Sequence, residues 1–575
     1  MPGAIRLAVV AAIVLYAGLL RLDAISAKYG PVSSPHWLQR LQQSRLGDSV
    51  LRPASVTWEP EPVFPHTDGV PTRYRSDPYT YLQYAREMRS FYAAHRREPL
   101  FPFATKISLA LLQQQDVAVS FASAAFSLLA VFATFLLGAE AYSLVVGAGA
   151  ALLFAIEYDV VYWSTGGWRD DAFTFTVVAT AWAMLRWMRN PTRRSAVVLG
   201  VLAGATSLVR ITAVSFIVPG LAYLLLAGPV RWRQRVTAIA LATVTAAVVV
   251  GPYVVNCWRT FGDPLYAINV HADVYRASEG QDIRSDETAS QYVGASARRR
   301  PFRTLDTFVL GMTEYPFTNK WTGFEPWIHS SGRWLSVAAV LGLVLFTGTR
   351  EGVLLLVVLA GSLVPFAFTW RLVNDWRFTE HAYPFLLIAA CLTAATVARA
   401  LRPSSIRRVK ALRPSTMSIV RWGSVVAAIA VTRVLVTRVF PVLIFEETLR
   451  AGEPALIMAG ARDDVFFQGD WNEVRGANVN TRVTGEPRPV IRVPLPAAAD
   501  YEAVIRLDSE RVSILVNGHF IARCDPGAPA GSMGTCRFRM PAAASRSGFN
   551  QVAFVPEQPR PLRVWYLRVQ RAGSG

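Results

Sequence analysis

Long apolar runs govern what this chain can fold into. About eleven of them, near 4–20, 117–138, 142–162, 172–188, 195–209, 213–227, 236–254, 334–348, 352–370, 382–400 and 417–441, approach the length of a membrane-crossing helix. Several fall short of the ~20 residues a perpendicular helix needs, so their boundaries are soft. Composition agrees: 52% of the residues are hydrophobic and only 17% charged, against roughly 25% charged in a soluble domain. The net charge of +19 comes almost wholly from Arg. Nucleic acid is set aside as a partner, because the Arg clusters flank apolar runs, where the sidedness of membrane proteins already explains them. The run at 4–20 is followed at once by Arg21-Leu22-Asp23, with no small-residue cleavage site. It reads as a retained span rather than a signal peptide.

Basic residues in short loops orient the spans. Arg189, Arg193 and Arg194, then Arg231, Arg233 and Arg235, then Arg402, Arg407, Arg408, Lys410 and Arg413 fall on one side, which is therefore cytoplasmic. The N-terminus lies on that side. The opposite, extracytoplasmic side receives loops 21–116, 163–171, 255–333 and 371–381 and everything after 441. The Arg-rich composition suggests a bacterial inner membrane.

From about 445 the pattern changes to strand-like alternation. Two short β-prone segments, 513–516 and 519–522, flank Asn517-Gly518, the dipeptide that favours a type I′ hairpin turn. With segments at 501–507, 536–540, 551–555 and 562–569, an all-β, jelly-roll-like sandwich of about eight strands is expected. The chain thus divides into a helical membrane module, 1–444, and a β-sandwich, 445–575. Four cysteines are too few for a disulfide framework. Cys524 and Cys536 are close enough in sequence to pair if the sandwich faces an oxidising compartment.

Three acids stand in non-membrane stretches on the extracytoplasmic side: Asp77 and the pair Asp170-Asp171. Asp77-Pro78 suits a helix start, so Asp77 could simply be an N-cap. Asp77, Tyr81 and Arg86-Glu87-Met88, placed directly after the first span, resemble the first-loop motif of membrane glycosyltransferases with the GT-C fold. The likeness is greatest to the family of protein O-mannosyltransferases and lipid A aminoarabinose transferases. Arg96-Arg97-Glu98-Pro99 through Lys106, Gly167-Trp168-Arg169-Asp170-Asp171, and Arg377 through Tyr383-Pro384 resemble later family elements in the same order. The resemblance covers roughly residues 1–400. It implies a GT-C fold and names Asp77 as the catalytic base. Two departures stand out: Pro78 occupies a position where relatives often carry a second acid, and residues 30–75 look like an insertion.

Such an enzyme moves a sugar from a polyprenyl-phosphate donor to an acceptor hydroxyl on a glycan, lipid or protein. The hydroxyl needs a carboxylate to take its proton, which is the role of Asp77, and attack opposite the phosphate inverts the anomeric carbon. The departing lipid phosphate needs fixed cations. Arg97, Lys106, Arg210 and Arg377 are the candidates. Asp170, Asp171, Arg169 and Tyr81 are candidates for acceptor or supporting roles. A divalent cation on Asp170 and Asp171 is the weaker alternative, since two acids alone are a sparse ligand set. Glu157 and Asp159 read as a solvated helix end. His271 reads as structural, and Trp321 and Trp327 as interfacial anchors or sugar platforms. Three rival functions remain in view: a flippase for a lipid-linked glycan, a non-catalytic glycan-binding scaffold, and a metal-dependent oligosaccharyltransferase. A flippase would favour charges at mid-membrane and matching halves, and neither pattern is present.

Overall fold

The computed structural model describes residues 3–29, 58–64, 72–278, 287–317, 333–369, 376–401, 427–428, 430–475, 480–508, 511–526, 533–558 and 561–573. Trp321, Trp327 and the basic cluster 402–413 lie outside them. The chain separates into two compact units. One comprises Met1–Tyr292 and Leu310–Thr416, the other Val293–Val309 and Met417–Gly575.

The first unit is helical. Its elements are α1 (Gly3–Tyr29), α2 (Ser76–Glu87), α3 (Leu100–Leu111), α4 (Ala118–Ala141), α5 (Leu144–Ile156), α6 (Tyr158–Ser164), α7 (Asp170–Arg189), α8 (Arg193–Val209), α9 (Val214–Ala227), α10 (Trp232–Phe261) and α11 (Tyr266–Ser278). After α12 (Ala289–Arg299) and α13 (Pro301–Thr313), which run into the second unit, come α14 (Arg333–Phe346), α15 (Arg350–Ala367) and α16 (Tyr383–Ala400). Among the described residues five helices are long and apolar enough to cross a bilayer: Ala4–Tyr29, Ala118–Ala141, Trp232–Phe261, Arg350–Ala367 and Trp376–Ala400. The run expected at 142–162 is broken instead. α5 and α6 meet at an angle of 62°, because Glu157 between them is extended (φ −62°, ψ 126°). Glu157 and Asp159 are buried at this break, not solvated as the sequence suggested. The runs at 172–188 and 195–209 do form helices, α7 and α8, while of that at 417–441 the residues 417–426 and 429 lie outside the described residues.

α4 packs between α5 and α7, α8 between α7 and α10, and α16 between α5 and α14. The α8–α10 seam depends on Gly200 and Gly204, one turn apart on α8. A Cβ on Gly200 would lie 2.4 Å from the Ala242 carbonyl oxygen, and one on Gly204 2.7 Å from Val249. Small residues spaced this way let helix backbones approach closely, as they do in lipid.

The bundle has two chemically distinct ends. At one, Arg186 pairs with Glu140 at 3.0 Å, Arg189 with Glu351 at 3.6 Å, and Arg235 donates to the Leu226 carbonyl at 2.8 Å. At the other, the segments 76–98, 169–171, 210–211, 267–271 and 376–381 converge.

The second unit is a β-sandwich. Its strands are β1 (Ala455–Met458), β2 (Phe467–Gln468), β3 (Asn472–Arg475), β4 (Asn480–Thr484), β5 (Val490–Leu495), β6 (Tyr501–Asp508), β7 (Val512–Val516), β8 (His519–Cys524), β9 (Gly534–Met540), β10 (Gly548–Pro556) and β11 (Leu562–Arg571). They form a six-stranded sheet, β3-β4-β11-β6-β9 with β1 also on β11, and a five-stranded sheet, β2-β5-β10-β7-β8. This exceeds the expected eight strands because β1 to β4 are two to five residues long, too short to display an alternation. The β7–β8 hairpin turns at Asn517 (φ 50°) and Gly518 (φ 89°), both left-handed as the Asn-Gly signal requires. Cys524 and Cys536 are bonded, with Cα atoms 5.9 Å apart, and tie β8 of one sheet to β9 of the other. The unit also holds α17 (Phe440–Arg450) and the segment 293–309. Glu447 of α17 accepts from the Phe302 and Arg303 backbone N–H groups at 3.1 Å, at the start of α13. Arg462 reaches the buried Asp306 at 2.6 Å.

Candidate active site

Asp77 does not cap its helix. It sits in the first turn of α2, where the N-cap residue Arg75 makes no side-chain cap bond. The residue before it, Ser76, is left-handed (φ 58°), a costly conformation for a non-glycine residue. The Asp77 carboxylate is instead paired with the guanidinium of Arg97, 20 residues away. Arg97 in turn touches the His271 ring of α11 and lies over the buried ring of Tyr81, 5.6 Å from its centroid. Burial opposes charge on Asp77, but Arg97, with Arg377 and Arg169 behind it, outweighs burial and holds the carboxyl below its ordinary range. His271 is driven down to about 4, first by burial and then by Arg169 and Arg97. Its ring is therefore neutral at neutral pH.

The loop that presents Arg97 is held by its carbonyls. Asn256 of α10 donates to the Tyr92 carbonyl at 2.8 Å and Tyr253 to that of His95 at 2.9 Å. Tyr84 donates to Ala93 at 3.1 Å, and its ring stacks on His95 with centroids 3.7 Å apart. Lys106, expected at the donor phosphate, donates to the Met88 carbonyl at 2.6 Å and so ties α3 to the end of α2.

A second cluster adjoins the first. Glu98, buried, pairs with Arg169 and accepts from the Ile211 N–H at 3.0 Å. Burial opposes the charge on Arg169, yet Tyr81, Glu98, Asp77 and Asp170 together push its pKa up. Asp170, at the start of α7, pairs with Arg210 and lies 3.4 Å from Arg377. Arg210 is the residue where α8 ends and the chain turns. It is not at mid-span, and its guanidinium lies 5.3 to 5.6 Å from the ring centroids of Phe366, Phe173 and Phe378. Arg377 lies 3.7 Å from the Trp168 centroid and 4.6 Å from that of Phe378. Guanidiniums stacked on rings keep their planes fixed while their edges serve anions.

Asp171 points elsewhere. It is fully buried, accepts from Ser123 at 2.8 Å, and leaves its Oδ1 without a hydrogen bond. The paired acids therefore do not suit a hard cation as they stand, because both Asp170 oxygens already face guanidiniums. Among the described residues no group of three or more His, Cys, Asp or Glu side chains is placed to hold a metal. Sequence reasoning did not single out Glu98, Trp168, Phe378 or Glu380. Glu380 is fully buried with neither carboxylate oxygen hydrogen-bonded.

Residues 96–255 match the model of a family described as dolichyl-phosphate-mannose-protein mannosyltransferase. The matched segment, 160 of the 575 residues, is similar to the family that the motifs resembled. It includes Arg97, Glu98, Lys106, Arg169, Asp170, Asp171 and Arg210, while Asp77, Tyr81, His271 and Arg377 lie outside the match. Similar solved structures include the apo oligosaccharyltransferase of Archaeoglobus fulgidus, at 14% identity and a TM-score of 0.41 over 76% of this chain and 55% of that one. ArnT from Cupriavidus metallidurans bound to undecaprenyl phosphate is 14% identical, with a TM-score of 0.36 over 63% of this chain and 60% of that one. The arabinosyltransferase EmbB from Mycobacterium smegmatis is 12% identical, with a TM-score of 0.24 over 99% of this chain and 65% of that one. The chain thus spans between about half and two thirds of each of these structures. No curated protein matches in sequence.

Proposed function

We propose that this protein is an integral membrane glycosyltransferase that moves a sugar from a polyprenyl-phosphate donor to an acceptor hydroxyl, with Asp77 as general base. One observation carries the choice of base. Of the three predicted acids, the side chain of Asp77 is 25% exposed and that of Asp170 only 5%, while Asp171 is 0% exposed. Only the first leaves room for an acceptor. The cations that hold its carboxyl below the ordinary range keep it ionised at neutral pH, the form that takes a proton.

The acceptor O–H gives its proton to the Asp77 carboxylate as its oxygen bonds to the anomeric carbon. The bond from that carbon to the phosphate oxygen breaks, and the lipid phosphate leaves with the electron pair, so the anomeric centre inverts. Arg210 and Arg377, held edge-on by Asp170 and stacked on aromatic rings, are the cations suited to that phosphate. Arg97 orients the base. Lys106 supports the loop rather than the phosphate. The match to a family named for a dolichyl-phosphate sugar supports this donor class. The name of the ArnT structure, bound to undecaprenyl phosphate, is consistent with it.

The site faces the extracytoplasmic side of an inner membrane in this reading, since the basic loops mark the other end of the bundle as cytoplasmic. A disulfide in the C-terminal unit fits an oxidising compartment. The helical module 1–444 carries the chemistry and 445–575 the sandwich.

The test is sugar transfer by lipid-reconstituted protein with a panel of polyprenyl-phosphate sugars. Asp77→Asn, with its unfolding temperature unchanged, is expected to lose about 10²-fold or more of the rate. Full activity in that variant, with an active parent, would remove Asp77 as the base.

A further inference from the structure

The two outer faces of the sandwich differ in chemistry. Along β6 the outward residues are Glu502, Val504, Arg506 and Asp508, and along β9 they are Thr535, Arg537 and Arg539. On β11 they include Arg563, Trp565, Tyr566 and Arg568, with a bulge between Val564 and Tyr566. The strand register places Arg537 beside Val504, Val504 beside Arg568, and Tyr566 beside Arg506. Arg506 stacks over Trp565 at 4.4 Å. On the neighbouring β1, Leu456 is 46% and Met458 44% exposed, next to Arg568 and Tyr566. Five arginines, two aromatic rings and three apolar side chains, Val504, Leu456 and Met458, thus share one face with Glu502 and Asp508 as the acids of these strands, and Arg539 is paired with Asp500 at 2.7 Å. The outer face of the five-stranded sheet carries two arginines against five: Arg492, stacked on Phe549 at 4.1 Å, and Arg523, paired with Glu557 at 3.0 Å, together with the exposed Phe520.

We propose that the outer face of the six-stranded sheet docks on the headgroups of anionic phospholipids. Each component has a counterpart in that surface. Arginines at ~7 Å spacing along a strand and ~4.8 Å between strands meet lipid phosphates, which Arg binds through its fork. Trp and Tyr suit the interfacial layer, and Leu456 and Met458 reach toward the acyl boundary. A polar glycan gives the exposed aliphatic pair nothing to pack on.

Chain continuity adds a second argument. β1 follows α17 after only Ala451 to Pro454, and α17 follows the apolar run at 417–441. The strand with the exposed aliphatic residues is therefore tethered close to the bilayer at high effective concentration. The inference rests on the membrane reading and not on the identity of the sugar, the acceptor or the base.

The test uses the full chain in nanodiscs of zwitterionic phosphatidylcholine alone, or mixed equally with anionic phosphatidylglycerol. A fluorophore is placed on Val504→Cys, and contact is read as quenching by a headgroup-attached quencher. Protein without the added cysteine provides the background. Strong quenching is expected in the anionic discs, much less in the zwitterionic ones, with a loss at 1 M salt, where the Debye length falls to ~3 Å. Arg537→Glu with Arg568→Glu should lower the ratio of docked to undocked protein about thirty-fold or more, at roughly fivefold per arginine near an anionic surface. Arg492→Glu with Arg523→Glu, on the other face, should leave it unchanged. Equal quenching in both disc types, an effect of the second variant as large as that of the first, or shielding of the label by a soluble anionic polysaccharide without lipid contact would each overturn the proposal.

Discussion

Asp170 shows how much a single carboxylate can hold in this site. With 5% of its side chain exposed, it faces Arg210, itself 10% exposed. Asp170→Asn keeps the shape but leaves the Arg210 charge without its counter-ion in a ring-lined site. Breaking a buried pair from one side costs about 3–5 kcal/mol. A clear drop in unfolding temperature is expected in detergent, larger than that of Asp77→Asn, whose site is more open. His271 yields a pH prediction. Its folded pKa, about 4, lies below the ordinary value of 6.5, so between those values the unfolded chain binds a proton that the native chain refuses. Stability therefore falls as pH drops from about 6.5 toward 4 and this contribution levels off below. His271→Gln should flatten that part of a stability–pH profile; an unchanged slope would rule the residue out as its source. The acids and arginines of the site were legible because ionisable residues in loops of an apolar chain are conspicuous. Glu98 was not, lying inside a basic, proline-containing stretch. The contact of Arg97 with His271 joins positions 174 apart, and no local pattern announces it.

The elements were legible where their periodicity was long and uninterrupted. The runs that became α4, α10, α15 and α16 were recognised from composition alone. The break between α5 and α6 was not, because a single extended residue, Glu157, leaves the hydropathy almost unchanged. The strands β6 to β11 alternate cleanly, with β9 buried at every second residue, whereas β1 to β4 end before any alternation can show. At this scale the seam of α8 and α10 is the vulnerable contact. Gly200→Leu must push the Ala242 backbone away, and overpacking of this kind costs about 1–3 kcal/mol. Since α8 ends at Arg210, transfer activity should fall along with the yield of folded protein. Gly200→Ala should show a smaller effect in the same direction. A fully stable, fully active Gly200→Leu protein would show that the seam is slack.

For the whole molecule, the division into a helical bundle and a sandwich followed from a change of hydrophobic period near residue 445, from helical runs to alternation. The membership of 293–309 in the second unit did not, because it depends on contacts such as that of Arg462 with Asp306, 156 positions apart. The Cys524–Cys536 bond closes a short loop, with a separation of 12, and joins the two sheets. Replacing both residues with Ser should cost the sandwich about 3 kcal/mol. Differential scanning calorimetry of the full chain should show one transition moving down while the bundle's transition stays. Two unmoved transitions would mean that the bond adds no stability.

The segment 293–309 also sets an order of events during synthesis. It leaves the ribosome more than a hundred residues before Glu447 and Arg462, which cap α13 and neutralise its buried Asp306. Until those residues emerge, the start of α13 lacks the Glu447 carboxylate and Asp306 lacks the Arg462 guanidinium that meet them in the folded chain. A shortened chain ending near 444 would therefore keep 293–309 without most of the unit it folds with, leaving that segment vulnerable to proteases and aggregation.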